Sequence, residues 1–142
     1  MYFGVLNEIG IIEQLSRTLL EARLPEGLIA PHFTVLNHLI RVRDGRTPLE
    51  LARAFQVPKT SMSHTLAGLE RHGLIEMRPN PDDKRSKQVW LTEQGRTVRE
   101  STIAALGGDL ADIAEVLPPQ DVATIMPVLT RLRIWLDTRR DG

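Results

Sequence analysis

The sequence predicts a mainly α-helical protein with one small β-hairpin, an α+β architecture in a single domain. Three observations predict it. Apolar residues recur at helical spacing along most of the chain. Two short, near-alternating runs, LIEMRP and KQVWL, flank a polar stretch, NPDDKRSKQ, in the middle. Proline and glycine fall between the periodic segments rather than within most of them.

The first helix is expected over residues 5–24, where Leu6, Ile9, Ile12, Leu15, Leu19 and Ala22 make a broad apolar stripe. LPEG ends it, and Pro31 in a first turn opens a second helix that closes by Asp44 and Gly45. TPLELARAF then combines Thr47 as N-cap, Pro48 at the first helical position and Glu50 two residues on, a capping box. Val57 and Pro58 turn the chain, and KTSMSHTLAGLERHG forms a fourth helix stopped by Gly73. On its wheel Met62, Leu66 and Leu69 fall together, whereas Thr60, His64, Ala67, Gly68 and Arg71 point outward with Ser61 and Ser63 on the flanks. The hairpin follows. Thr92 caps one long helix running to about Leu117, weakened or bent at Gly107 and Gly108. After Pro118 and Pro119 a last helix carries Val122, Ile125, Met126, Leu129, Leu132 and Leu136 on one side, with Pro127 expected to kink it or move its start.

Composition narrows the function classes. A chain of 142 residues, 42% hydrophobic and 25% charged, can bury one core and is neither disordered nor fibrous. It contains no cysteine, which removes disulfides, thiolate metal sites and thiol redox switching. His32, His38, His64 and His72 lie too far apart in sequence to suggest a metal site, and no cofactor is expected. The N-terminal MYFGVLNEIGII is interrupted by Asn7 and Glu8 and fits neither a signal peptide nor a spanning helix, so a cytoplasmic protein without a membrane partner is expected. The formal net charge is zero, yet residues 58–99 carry eight basic against five acidic side chains, and residues 100–142 four against seven. A partner feels the local field, because charge is screened over about 8 Å at physiological salt. The basic middle is therefore the expected contact region.

Two helices joined by a tight turn, the second with a small polar outer face, followed by a hairpin, spell a winged helix-turn-helix. Short side chains let a helix backbone approach base edges in the major groove, and Thr60, Ser61, Ser63, Ala67 and Gly68 supply them. Lys59 and the hydroxyls stand at the positive end of the helix dipole, where phosphates bind. A guanidinium at a hairpin tip suits the negative potential of a narrow minor groove.

The run LELARAFQVPKTSMSHTLAGLERHGLIEMRPNPDDKRSKQVWLTEQGR resembles the MarR family of bacterial transcription regulators, and the resemblance extends over nearly the whole chain. Its most specific part is GLIEMRPNPDDKRSKQVWLTEQG, where Asp83, Lys84 and Arg85 match the family's Asp, any residue, Arg pattern in the wing. The resemblance implies a single domain over 1–142, with 28–95 as the DNA-binding part and 5–24 and 96–139 as dimerisation helices. It implies that Arg85 reaches the minor groove or its phosphates, braced by Asp83, with Lys84, Lys87 and Arg78 beside it and Thr47 at the start of the helix-turn-helix. It also implies a homodimer through Leu6, Ile9, Ile12, Val122, Ile125, Leu129, Leu132 and Leu136, placing two recognition helices on a pseudo-palindromic operator of double-stranded DNA. A small aromatic or phenolic effector is implied in a crevice for which Leu15, Leu19, His32, Phe33 and Leu36 are the candidate lining residues. Pro58 stands where the family has a capping Ser or Asp, His64 where it often has Arg, Ile29 where Thr is common and His32 where Gln is common. The His64 substitution would make DNA affinity weaker or pH-sensitive.

An enzyme is not expected. The sequence holds no phosphate-binding glycine loop, nucleophile elbow or HExxH pattern, and Asp109, Asp112 and Glu115 read as a solvated helix face. The alternative is a winged helix that binds only protein, against which the basic middle and Arg85 argue.

Overall fold

The computed structural model describes residues 1–140. Its elements run α1 (Tyr2–Arg23), α2 (Ala30–Arg41), α3 (Pro48–Phe55), α4 (Lys59–Arg71), β1 (Ile75–Asn80), β2 (Asp83–Leu91), α5 (Glu93–Ala105), α6 (Gly107–Val116) and α7 (Pro119–Arg139). They fall into two compact units, residues 1–106 and the chain from Gly107 onward.

In the first unit a small core joins α2, α3, α4 and the hairpin. Val35, Leu36 and Leu39 of α2 meet Leu51 and Ala52 of α3, Met62, Leu66 and Leu69 of α4, and Leu74, Ile75 and Val89 around the hairpin. These are the inward positions of the helical stripes and of the alternating strands, as the periodicity predicts. The capping box forms as read: the Thr47 hydroxyl accepts from the Glu50 N–H at 3.1 Å and the Glu50 carboxylate accepts from the Thr47 N–H at 3.1 Å. Pro58 precedes α4 and gives it no side-chain cap. Gly73, at φ +72°, makes the left-handed turn that stops the helix.

The hairpin is antiparallel, with Ile75 opposite Leu91 and Met77 opposite Val89, and its register slips between Pro79 and Asn80. The polar stretch is shorter as a loop than the sequence suggests. Strand β2 begins at Asp83, so Asp83, Lys84 and Arg85 belong to a strand and only Pro81 and Asp82 turn the chain.

α1 starts four residues earlier than the sequence stripe and buries none of its residues in this unit. The long helix expected after Thr92 is two helices. The Leu106 N–H is drawn to the carbonyls of both Thr102 and Ile103, tightening the last turn of α5, and α6 starts at Gly107. Gly107 and Gly108, both of low helix propensity, open α6 directly after this break. In the second unit, α7 runs unbroken through Pro127 from Pro119, so the proline does not move its start. Among the described residues no helix is long and apolar enough to cross a membrane.

Candidate nucleic-acid interface

The outer face of α4 is what the sequence required in all but one position. Lys59, Thr60, Ser61, Ser63, His64, Ala67 and Arg71 are exposed. Gly68 is not. It is buried, and a Cβ built on it would lie 2.7 Å from Nε2 of His32. The expectation of an exposed contact at Gly68 is corrected: it packs against α2, with the His32 imidazole in the space a side chain would take.

In the wing, Arg85 projects with its side chain 92% exposed. Asp83 Oδ1 accepts from the Arg85 backbone N–H at 2.9 Å and lies 3.4 Å from its Nε. The carboxylate thus fixes the Arg85 backbone more firmly than its guanidinium. The other acid of the tip, Asp82, donates its N–H to Asn80 Oδ1 at 3.0 Å, and Asn80 Nδ2 donates to Ser86 Oγ at 2.9 Å. Lys84 and Lys87 are exposed, and Arg78 lies 5.0 Å over the Trp90 ring.

The sequence reading missed what holds the wing to the helices. Asp44 Oδ1 accepts from the N–H groups of Gly45 and Leu91 at 3.0 and 2.9 Å. Arg46 forms an isolated bridge to Val89, whose N–H donates to the Arg46 carbonyl at 2.7 Å. Gly45, at φ +73°, packs so closely on Trp90 that a Cβ would come within 2.6 Å of the ring. Asp44-Gly45, the stop of the second helix, is the signal in the sequence for this attachment.

This architecture matches known proteins. The model of the MarR family matches residues 26–86. The crystal structure of a mutant MarR from E. coli is 30% identical, covers 89% of this chain and 93% of its own, and superposes with a TM-score of 0.75. The chain belongs to the MarR family. A second E. coli MarR structure, solved in complex with operator DNA, is 29% identical over 91% of this chain and 93% of its own, with a TM-score of 0.74. The transcriptional regulator SlyA, at 19% identity over 96% of both chains and a TM-score of 0.77, shares the fold. This chain therefore has the fold of a MarR family transcriptional regulator, a family of regulators rather than enzymes.

The five residues expected to line an effector crevice differ in burial. Leu36 is fully buried and His32 sits in the α2–α4 contact, so both are core positions, a correction to their place in the candidate lining. Phe33 is half-buried and Leu15 and Leu19 are exposed. One apolar cleft of this unit, about 290 Å³, is walled by residues that include Arg17, Pro31, Thr34, Phe55, Met62 and Thr65. Its cation is already committed, since the Arg17 Nε and Nη2 donate to the two carboxylate oxygens of Glu13.

Of the expected dimer residues, Leu6, Ile9, Ile12, Val122, Ile125, Leu129 and Leu136 are exposed and Leu132 is half-buried. Thr47, half-buried, spends its acceptor in the α3 cap. Burial alone would raise the Glu50 carboxyl, but bonds from Thr47 and the charges of Arg46 and Arg43 outweigh it and hold the group below its ordinary value.

Proposed function

We propose that the chain is a sequence-specific, double-stranded-DNA-binding transcriptional regulator that acts as a homodimer on a pseudo-palindromic operator. One observation carries this reading. An almost fully exposed guanidinium on a wing braced by Asp83 accompanies a recognition helix whose outer face is short, hydroxylated and exposed. The E. coli MarR bound to operator DNA supports it as a relative. α4 enters the major groove, Lys59 and the hydroxyls meet phosphates near its N-terminus, and Arg85 enters the adjacent minor groove. Repression, relieved by a small aromatic or phenolic molecule, is the mode of regulation proposed.

The test is a mobility-shift titration with a duplex selected from a random pool by the wild-type chain. Arg85→Ala should weaken binding by about tenfold or more, the order expected for losing one specific charged contact. It should also flatten the dependence on salt, because one fewer phosphate counterion is released. Equal affinity of the two proteins would refute the wing contact. Failure to select any duplex would favour a winged helix that binds only protein.

A further inference from the structure

Two imidazoles that look scattered in the sequence, His32 and His72, meet at Gly68, and the charge of a third, His64, acts on His32. His32, on α2, is buried, and its Nδ1 accepts the N–H of Ile29 at 2.9 Å, closing the first turn of its helix. A ring nitrogen that accepts from an N–H carries no proton, so the imidazole is neutral with its hydrogen on Nε2. That Nε2 edge is the one pressed against Gly68 of the recognition helix.

The groups of α4 and its C-cap that act on His32 are His72, His64 and Arg71, each positive or able to become so. His72 Nδ1 donates to the Gly68 carbonyl at 2.8 Å, so the same glycine is held from both sides. From α1, Glu21 reaches this end of α2, but its Oε2 is engaged by the Ala30 N–H at 3.0 Å. On its own helix the immediate neighbours of His32 are Pro31 and Phe33, which bear no charge.

We propose that His32 is a positioning residue for the recognition helix, a latch that seats α4 only as the neutral imidazole, so that mild acid unseats α4 and lowers DNA affinity. The regulatory half of this rests on the reading of α4 as the DNA-contacting helix. A proton on Nδ1 would point one donor at another, opening the first turn of α2, and would place a buried cation opposite His64, Arg71 and His72. Burial lowers the pKa of His32 from its ordinary value, and positive charge on His72, His64 and Arg71 lowers it further. The sign follows from that direction. The unseated state takes up a proton at about the ordinary imidazole value of 6.5 and the seated state only at lower pH. The latch is therefore complete above about pH 6.5 and is lost progressively below it, with the opening equilibrium rising by at most about tenfold per pH unit. Protonation of the exposed His64 would have the opposite effect on DNA affinity, because it adds positive charge to the side facing the phosphates.

The experiment follows the full-length wild type, His32→Gln and His64→Gln from pH 8 to 5.5 by three measurements. These are amide hydrogen exchange of α4 and the first turn of α2, imidazole nitrogen shifts, and affinity for the selected duplex. Gln keeps an acceptor for the Ile29 N–H and has no proton to gain. In the wild type, α4 protection, corrected for the intrinsic pH dependence of exchange, should fall between pH 6.5 and 5.5, by at most about fivefold for a single proton. In His32→Gln it should stay level, and the affinity of wild type relative to His32→Gln should decline over the same range. His64→Gln should keep the wild-type loss of protection. If His32→Gln does not fold, the wild-type nitrogen shifts still decide: Nδ1 must be unprotonated at pH 7.5, and the ring must stay neutral below its ordinary value until α4 protection falls. The same protection profile in wild type and His32→Gln, or protonation of His32 with α4 protection unchanged, overturns the latch. A constant affinity ratio overturns its regulatory role. Failure to select a duplex counts against the DNA reading alone, since exchange and nitrogen shifts need no DNA.

Discussion

Gly68 shows at residue scale why the outward face of α4 was only partly legible. A wheel sorts residues by angle, and by angle Gly68 belongs with His64, Ala67 and Arg71. What buries it is His32, far away in sequence, whose ring needs the space a Cβ would take. The signals that could be read were local. Thr47 and Glu50 stand three residues apart and satisfy each other's N–H groups as the spacing requires. The Asp83–Arg85 spacing likewise puts a carboxylate on the next arginine's N–H. Gly68→Ala separates the local view from the long-range one. On an exposed helical surface the change would stabilise by about 1 kcal/mol through helix propensity. Here the methyl meets His32 Nε2 at 2.7 Å, and the ring cannot swing away without giving up the Ile29 N–H. Overpacking of this kind costs about 1–3 kcal/mol, so we expect net destabilisation of roughly 1 kcal/mol in urea unfolding. A more stable variant would show that the contact yields.

At the scale of elements, the order of four helices, a hairpin and further helices was readable because each rests on its own period and its own breakers. The wing's attachment was not, because it is made of backbone bonds between segments that share no pattern. Asp44 spans from the end of α2 to Leu91, and Arg46 pairs with Val89. The break between α5 and α6 lies between these cases. The glycines announced a weak point, but an actual stop also needed the Leu106 N–H to favour the Thr102 and Ile103 carbonyls. The wing attachment makes a prediction through Gly45, whose φ of +73° and contact with Trp90 both exclude a side chain. Gly45→Ala combines about 1 kcal/mol of left-handed backbone cost with about 1–3 kcal/mol of overpacking. Thermal unfolding should report a loss of roughly 2 kcal/mol. The wing is then no longer fixed relative to α4, so Arg85→Ala should cost less DNA affinity in the Gly45→Ala background than alone. Strict additivity in that double-mutant cycle would mean the wing is positioned by something other than the Gly45–Trp90 contact.

At the scale of the whole molecule, the segregated charge and the uncovered apolar faces point to different partners. The basic middle of the sequence folds into α4 and the wing, and it is there that DNA contact is proposed. The apolar stripes of α1 and α7 were legible as stripes, yet neither helix buries a residue in its own chain. Leu6, Ile9 and Ile12 on one, and Val122, Ile125, Leu129 and Leu136 on the other, stay exposed. Exposed apolar stripes on two long helices are unusual for a monomer and fit an obligate interface, where partners bury roughly 2,000 Å² or more. A twofold axis would make the same faces self-complementary and would set two recognition helices about 34 Å apart, one turn of duplex. Sedimentation equilibrium at micromolar concentration should therefore give twice the chain mass. Leu129→Glu combined with Leu132→Glu should halve it, because two carboxylates buried in an apolar interface without partners cost several kcal/mol each. Neither leucine belongs to the core built from α2, α3, α4 and the hairpin. The helical signal of that part should survive, and with it weak, non-palindromic binding to a single half-site. A double variant that stays dimeric would place the interface elsewhere, and a wild type that sediments as a monomer would remove the twofold operator from the proposal altogether.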